Sequence, residues 1–101
     1  MTIPFSMRVL RRPDVLVNVL GDESVILNLT SERYFGLDSV GTSMWSALTG
    51  LESIEEAYRS LLDEFDVDKN LLQRDLTALI EMLVENELVE LSAPVPGENA
   101  E

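Results

Sequence analysis

A chain of 101 residues with 46% apolar content has the makings of one domain around a single modest core. It contains no Cys and no His, which removes disulfides, thiolate nucleophiles, Cys/His zinc sites and imidazole acid–base catalysis. The formal net charge of −12 is unevenly placed: residues 1–13 carry Arg8, Arg11 and Arg12 and no acid, leaving 4 basic residues against all 19 acidic ones over residues 14–101, a balance of −15. Such a surface repels both nucleic-acid phosphates and anionic lipid, so neither is an expected partner. No apolar run reaches the roughly 18 residues of a membrane span, and no signal-peptide core opens the chain, so the cytoplasm is the expected compartment.

Residues 1–13, with Pro4 and Pro13, read as an extended basic arm with one strand-like stretch near Met7 to Leu10. Val15 to Leu20 is β-branched and apolar, Gly21 to Ser24 is a turn, and Val25 to Leu29 is a second strand. Pairing the two so that Asn18 faces Asn28 sets polar against polar and apolar against apolar. Thr30 to Glu32 is the next turn, and Arg33 to Leu37 the third strand, an edge of the antiparallel meander. Either Tyr34 or Phe35 faces the core, depending on whether Gly36 makes a bulge.

Three helices follow. Asp38 or Ser39 caps the first, which ends at Thr49-Gly50; Ser53 caps the second, with Glu56 completing a capping box. Ile54, Ala57, Tyr58, Leu61, Leu62 and Phe65 form the apolar face of the second helix. Asp68 caps the third, which runs to about Asn86; Leu88 to Leu91 adds a short extended segment, and residues 92–101 read as a disordered polar tail. The folded domain is thus expected over residues 14–91. Three antiparallel strands followed by three helices give an α+β fold of winged helix-turn-helix type.

Two features stand out as functional. The third strand is apolar, free of Pro and Lys, and lies on an edge, the arrangement that accepts a further strand from a peptide or from a second copy of the chain. On the third helix, Leu72, Leu76, Leu79, Ile80 and Leu83 cluster within about 100° of arc. Leu71, Ala78 and Met82 widen that arc, with Asp75 among them, beyond what one core contact needs. The carboxylates around the second helix sit off its apolar face, without the burial that tunes a catalytic carboxyl. Asp66 to Asn70 lacks the central Gly and terminal Glu of a calcium loop. No cofactor, metal or enzymatic activity is therefore expected.

The string Arg33-Tyr34-Phe35-Gly36-Leu37-Asp38-Ser39-Val40-Gly41-Thr42 with Met44-Trp45 resembles the PqqD family. Val25 to Leu29, Leu62 to Val67, Asp75-Leu76 and Leu88-Val89 extend the likeness over residues 14–91. The resemblance implies a stand-alone recognition element of ribosomally made, modified peptide pathways, such as the leader-binding proteins of lasso peptide clusters or the chaperone of pyrroloquinoline quinone synthesis. It implies a leader peptide added as a strand beside the third strand, against the third helix, and handed to a peptidase or radical enzyme. By position, the walls would be Arg33, Tyr34, Phe35, Gly36 and Leu37 on the strand and Leu71, Leu72, Asp75, Ala78, Leu79 and Met82 on the helix. The alternative is a homodimer formed through the same edge without a peptide guest.

Overall fold

The computed structural model describes residues 2–93. Along the chain run β1 (Arg8–Arg11), β2 (Val15–Leu20), β3 (Glu23–Asn28), β4 (Arg33–Leu37), α1 (Ser39–Gly50), α2 (Ile54–Glu64), α3 (Lys69–Glu85) and β5 (Val89–Ser92). The third strand of the sequence reading is β4. The antiparallel sheet β2-β3-β4 followed by three helices is the expected α+β arrangement, and β1 and β5 form a second, two-stranded sheet.

The register of β2 on β3 differs from the expected one by three residues. Asn18 stands opposite Val25, and Asn28 opposite Val15. The cause is the turn: Leu20 pairs with Glu23, so only Gly21 and Asp22 lie between the strands, and Gly21 takes φ 69. A two-residue loop with a left-handed first residue matches the strand twist, and glycine adopts that conformation without a Cβ penalty. The polar match was misleading because Asn28 is a buried residue with its own partners, not half of a surface pair.

One face of the sheet is packed and the other is open. Val15, Ile26 and Leu37 point inward and are buried, and Ile26, fully inaccessible, belongs to the same core as Trp45, Leu48 and Leu76 of the helices. A buried side chain of that size contributes about 1.5–3 kcal/mol of transfer free energy, and a three-stranded sheet is stable only with such support. Ser24, also buried, shares a 2.8 Å hydrogen bond between hydroxyls with Thr42, tying β3 to α1.

Each helix starts on an acceptor side chain. Asp38 accepts from the Gly41 N–H, Ser53 from the Glu56 N–H and Asp68 from the Leu71 N–H. Glu56 reaches back to the Glu52 N–H at 3.3 Å. The end of α3 is a Schellman turn: Leu88 N–H donates to Leu83 O and Glu87 N–H to Val84 O. Glu87 occupies the left-handed position at φ 60, where glycine is usual.

Of residues 1–13, expected as an arm outside the domain, the described residues 2–13 are built into it. β1 pairs antiparallel with β5, from Arg8 opposite Ser92 to Arg11 opposite Val89. Ile3 and Val9 are core residues. The carbonyls of Met7 and Phe5 accept from the Ile54 and Glu55 N–H groups, each at 2.8 Å, supplying partners that the first turn of α2 lacks within the helix. Phe5 also meets Tyr58 edge-on, with ring centroids 5.6 Å apart. Sequence reading missed this because the segment has no period of its own; its pattern is set by β5, some 80 residues away. Of the expected tail, Ser92 closes β5, and residues 94–101 lie outside the described residues.

Deleting residues 2–12 is expected to lower unfolding free energy by at least about 3 kcal/mol, from Ile3 and Val9 alone. Urea denaturation followed by circular dichroism measures it; an unchanged midpoint would mean the segment is dispensable. Glu87→Gly is expected to raise stability by about 0.5–1 kcal/mol, since a left-handed non-glycine residue costs about 1–2 kcal/mol and glycine's greater chain entropy takes back part of the gain. A thermal melt reads the shift directly.

Candidate functional site

Within the sheet β4 has β3 on one side and, among the described residues, no strand on the other. The terminal segment that might have covered this edge is paired with β5 instead. Half of the N–H and C=O groups of an edge strand point away from its neighbour, so β4 offers a ready ladder to an added strand. Pairing with β3 is regular from Asn28–Arg33 to Ser24–Leu37, with no bulge at Gly36, which sits opposite Val25.

That regularity settles the faces of β4. Phe35 lies opposite Ile26 on the inner face, half-buried, with the Arg33 guanidinium 5.5 Å from its ring centroid. Leu37 is buried in the core. Tyr34 is on the outer face and 73% exposed, opposite Leu27. Among the described residues nothing lies within 4 Å of where a Cβ on Gly36 would project, so they leave the outer face beside the edge open there.

Two points locate α3 relative to β4. Beyond Leu37, Val40 and Met44 of α1 share a small cavity of about 90 Å³ with Leu71, Leu72 and Asp75 of α3, closed by Phe65 and Val67. At the other end Asn28, the cross-strand partner of Arg33, donates through Nδ2 to the carbonyl of Glu87, 2.9 Å away and just past α3. The helix therefore runs antiparallel to β4. Leu71, Asp75, Ala78 and Met82 follow one another at helical spacing from the Leu37 end toward the Arg33 end, over roughly 16 Å, close to the span of the five-residue strand.

Along this stripe Leu71, Asp75 and Ala78 are exposed, and Leu79 and Met82 are half-buried against the core. Leu72 is a core residue, 4% exposed, that reaches the open side only through the cavity. Asp75 lies 3.7 Å from the Arg74 guanidinium in an exposed pair. The cavity walls Val40, Met44, Phe65 and Val67 escaped the sequence reading. Phe65 appears there on the apolar face of the second helix and Val40 and Met44 only in the family string, and no linear spacing brings them to one place. Asn28 enters the sequence analysis only as the expected partner of Asn18. Its position among inward-pointing residues of β3 is the signal that could have identified it.

The β3–β4 turn is anchored from outside. Leu29 N–H donates to the Asp14 carbonyl at 2.8 Å, and the Thr30 hydroxyl donates to the Asp14 carboxylate at 2.5 Å. The Thr30 bond holds the Asp14 carboxyl below its ordinary value; burial opposes this, and the Arg12 charge adds to it.

The comparisons with known proteins fall on this same framework. The sequence matches the family described as Coenzyme PQQ synthesis protein D (PqqD) over residues 23–89. The chain belongs to the PqqD family. Among solved structures it is similar to TbiB1 in complex with the TbiA(beta) leader peptide, at 34% identity and a TM-score of 0.76, covering 80% of this chain and 94% of that one. It is also similar to a lasso peptide synthetase B1 complexed with the leader peptide, at 25% identity and a TM-score of 0.71, covering 84% of this chain and 98% of that one. Among curated proteins none matches. No helix of the described residues is long and apolar enough to cross a membrane.

The lowered Asp14 pKa has a readable consequence. A depressed carboxyl contributes stability that is complete above its unfolded value of 3.8 and is lost as pH falls through the lower folded value. Thr30→Val is therefore expected to be less stable than the parent at neutral pH, with the gap narrowing below pH 3.8. Urea midpoints across an acid series test this; a gap independent of pH would show that Asp14 and Thr30 are not linked.

Proposed function

We propose that this chain is a non-catalytic adaptor that binds the leader segment of a ribosomally synthesised precursor peptide. The leader adds to the edge of β4 as a further antiparallel or parallel strand, facing α3, and is presented there to a processing enzyme such as a leader peptidase or a radical enzyme. The observation that carries this reading is the β4 edge, without a second strand neighbour among the described residues, together with the mainly apolar stripe of the antiparallel α3, exposed at Leu71 and Ala78 and half-buried at Leu79 and Met82. Family membership and two similar structures holding leader peptides support it.

The division of labour follows from the chemistry. Main-chain hydrogen bonds to β4, each worth about 0.5–1.5 kcal/mol net, hold a guest with little regard to its sequence. Alternate guest side chains facing the helix meet Leu71, Ala78, Leu79 and Met82, and the cavity beside Leu71 gives one of them a place to bury. Asp75 at its rim suits a guest side chain that donates a hydrogen bond or carries positive charge. Tyr34 and the space over Gly36 face the opposite side of the sheet. Self-pairing of two copies through β4 uses the same edge, but sets two chains of net charge −12 against each other.

Titration with the TbiA(beta) leader peptide, or with the chain's own precursor, is expected to move the amide resonances of residues 33–37 and of α3 together. Shifts elsewhere, with those residues still, would overturn the site. Asp75→Lys is expected to raise the dissociation constant by roughly tenfold, about 1.4 kcal/mol, with the fold intact. Equal affinity for parent and variant would place Asp75 outside the contact. Light scattering at low concentration separates the dimer: a stable dimer that persists when peptide is added would favour self-pairing.

A further inference from the structure

Asn28 is an amide at the end of the middle strand, 1% exposed. Burying such a group costs free energy unless its bonds are remade inside, and here they are. Oδ1 accepts from the Thr30 N–H at 2.9 Å and the Ser31 N–H at 3.0 Å, and Nδ2 donates to the Glu87 carbonyl at 2.9 Å. The amide's orientation follows from its partners, since two N–H groups require the oxygen and a carbonyl requires the nitrogen.

These three bonds join different parts of the molecule. The oxygen holds the β3–β4 turn, which sets where β4 begins. The nitrogen holds the residue just past α3, whose carbonyl is aimed by the Schellman turn and by the left-handed backbone of Glu87. Asn28 also stands opposite Arg33, the first residue of β4. At the far end α1, which follows β4 directly, meets α3 around the apolar cavity. At this end a polar bridge does the joining.

We infer that Asn28 is a positioning residue, a latch that fixes the distance between the Arg33 end of β4 and the C-terminal half of α3, and so the width of the docking groove. The inference rests on the peptide-docking reading above for its function, and on the three hydrogen bonds for its geometry. Asn28 touches no guest; it acts through the turn and through Glu87. An apolar residue would fill the same volume but leave the Thr30 and Ser31 N–H groups and the Glu87 carbonyl without these partners.

Asn28→Asp tests the latch selectively. The carboxylate still accepts from Thr30 and Ser31, but sets an oxygen against the Glu87 carbonyl where a donor stood. At neutral pH the expected result is a roughly tenfold rise in Kd for the TbiA(beta) leader peptide. Amide shifts are expected at both residues 33–37 and residues 83–89. On acidification the protonated carboxyl donates to Glu87 again, so the ratio of variant to parent Kd is expected to return toward one. The ionisable groups around the site are Asp14, Glu32, Arg33 and Glu87, present in both proteins, and the parent measured across the same pH series reports their own contribution. Arg59→Ala, on the exposed side of α2 where Arg59 pairs with Glu55, is expected to stay within twofold of the parent.

If Asn28→Asp is too unstable alone, combining it with Glu87→Gly removes the left-handed strain while keeping the carbonyl. Shifts confined to residues 28–31 with unchanged affinity would overturn the latch. If the parent fails to bind that peptide, the docking reading loses its support there. The latch is then decided by the amide shifts alone: movement on both walls upholds it, and movement in the turn only rejects it.

Discussion

The two ends of the folded chain pair with each other and not with the main sheet, and much of the structure depends on that choice. Because β1 takes β5, the N-terminal carbonyls of Phe5 and Met7 are carried to the start of α2, where they meet otherwise unpartnered N–H groups. Arg12 N–H donates to the Leu88 carbonyl, joining the start of the chain to the turn that ends α3. The same pairing leaves β4 with one strand neighbour. Had either terminal strand added to β4, that edge would be satisfied. A small domain can leave an edge bare only if its stability comes from elsewhere, and here it comes from a core shared by one sheet face and three helices.

The chemistry of the open edge explains how a winged-helix arrangement can serve something other than nucleic acid. Fold sets which surfaces exist, and the residues on them set what they bind. This chain has a balance of −15 after residue 13, which opposes phosphate, while a backbone ladder is indifferent to charge. The three basic residues of the N-terminal segment do not form a separate arm: Arg8 and Arg11 are on a paired strand, and Arg12 is engaged by Asp14 and Glu90. Binding through main-chain hydrogen bonds asks little of the guest's sequence. Under the proposed docking, discrimination falls to the α3 stripe and the cavity around Leu71.

Local signals in the sequence were legible because their physics is local. Asp38, Ser53 and Asp68 cap the helices they precede, since a cap needs only a side-chain acceptor within three residues of the N–H it serves. The strands β2 to β4 follow from β-branched and aromatic runs between turn residues. The β2–β3 register was misread because it hangs on one backbone angle at Gly21, which outweighs any side-chain match. The strand wall of the candidate site lies in one continuous run and could be read as such. The cavity wall could not, because Met44, Phe65 and Leu71 come from three separate parts of the chain.

The sequence by itself determined the order of strands and helices, the acidic character, the absence of Cys and His chemistry, and the family string from Arg33 to Trp45. Those are properties of composition and of spacing within a turn or two. Only the tertiary structure decided that β1 closes on β5, that β4 stays open and lies antiparallel to α3, and that Asn28 turns inward to bridge the two. Each of these joins residues far apart in the chain, and such contacts are chosen by the burial and hydrogen bonding of the whole fold, which no local pattern records.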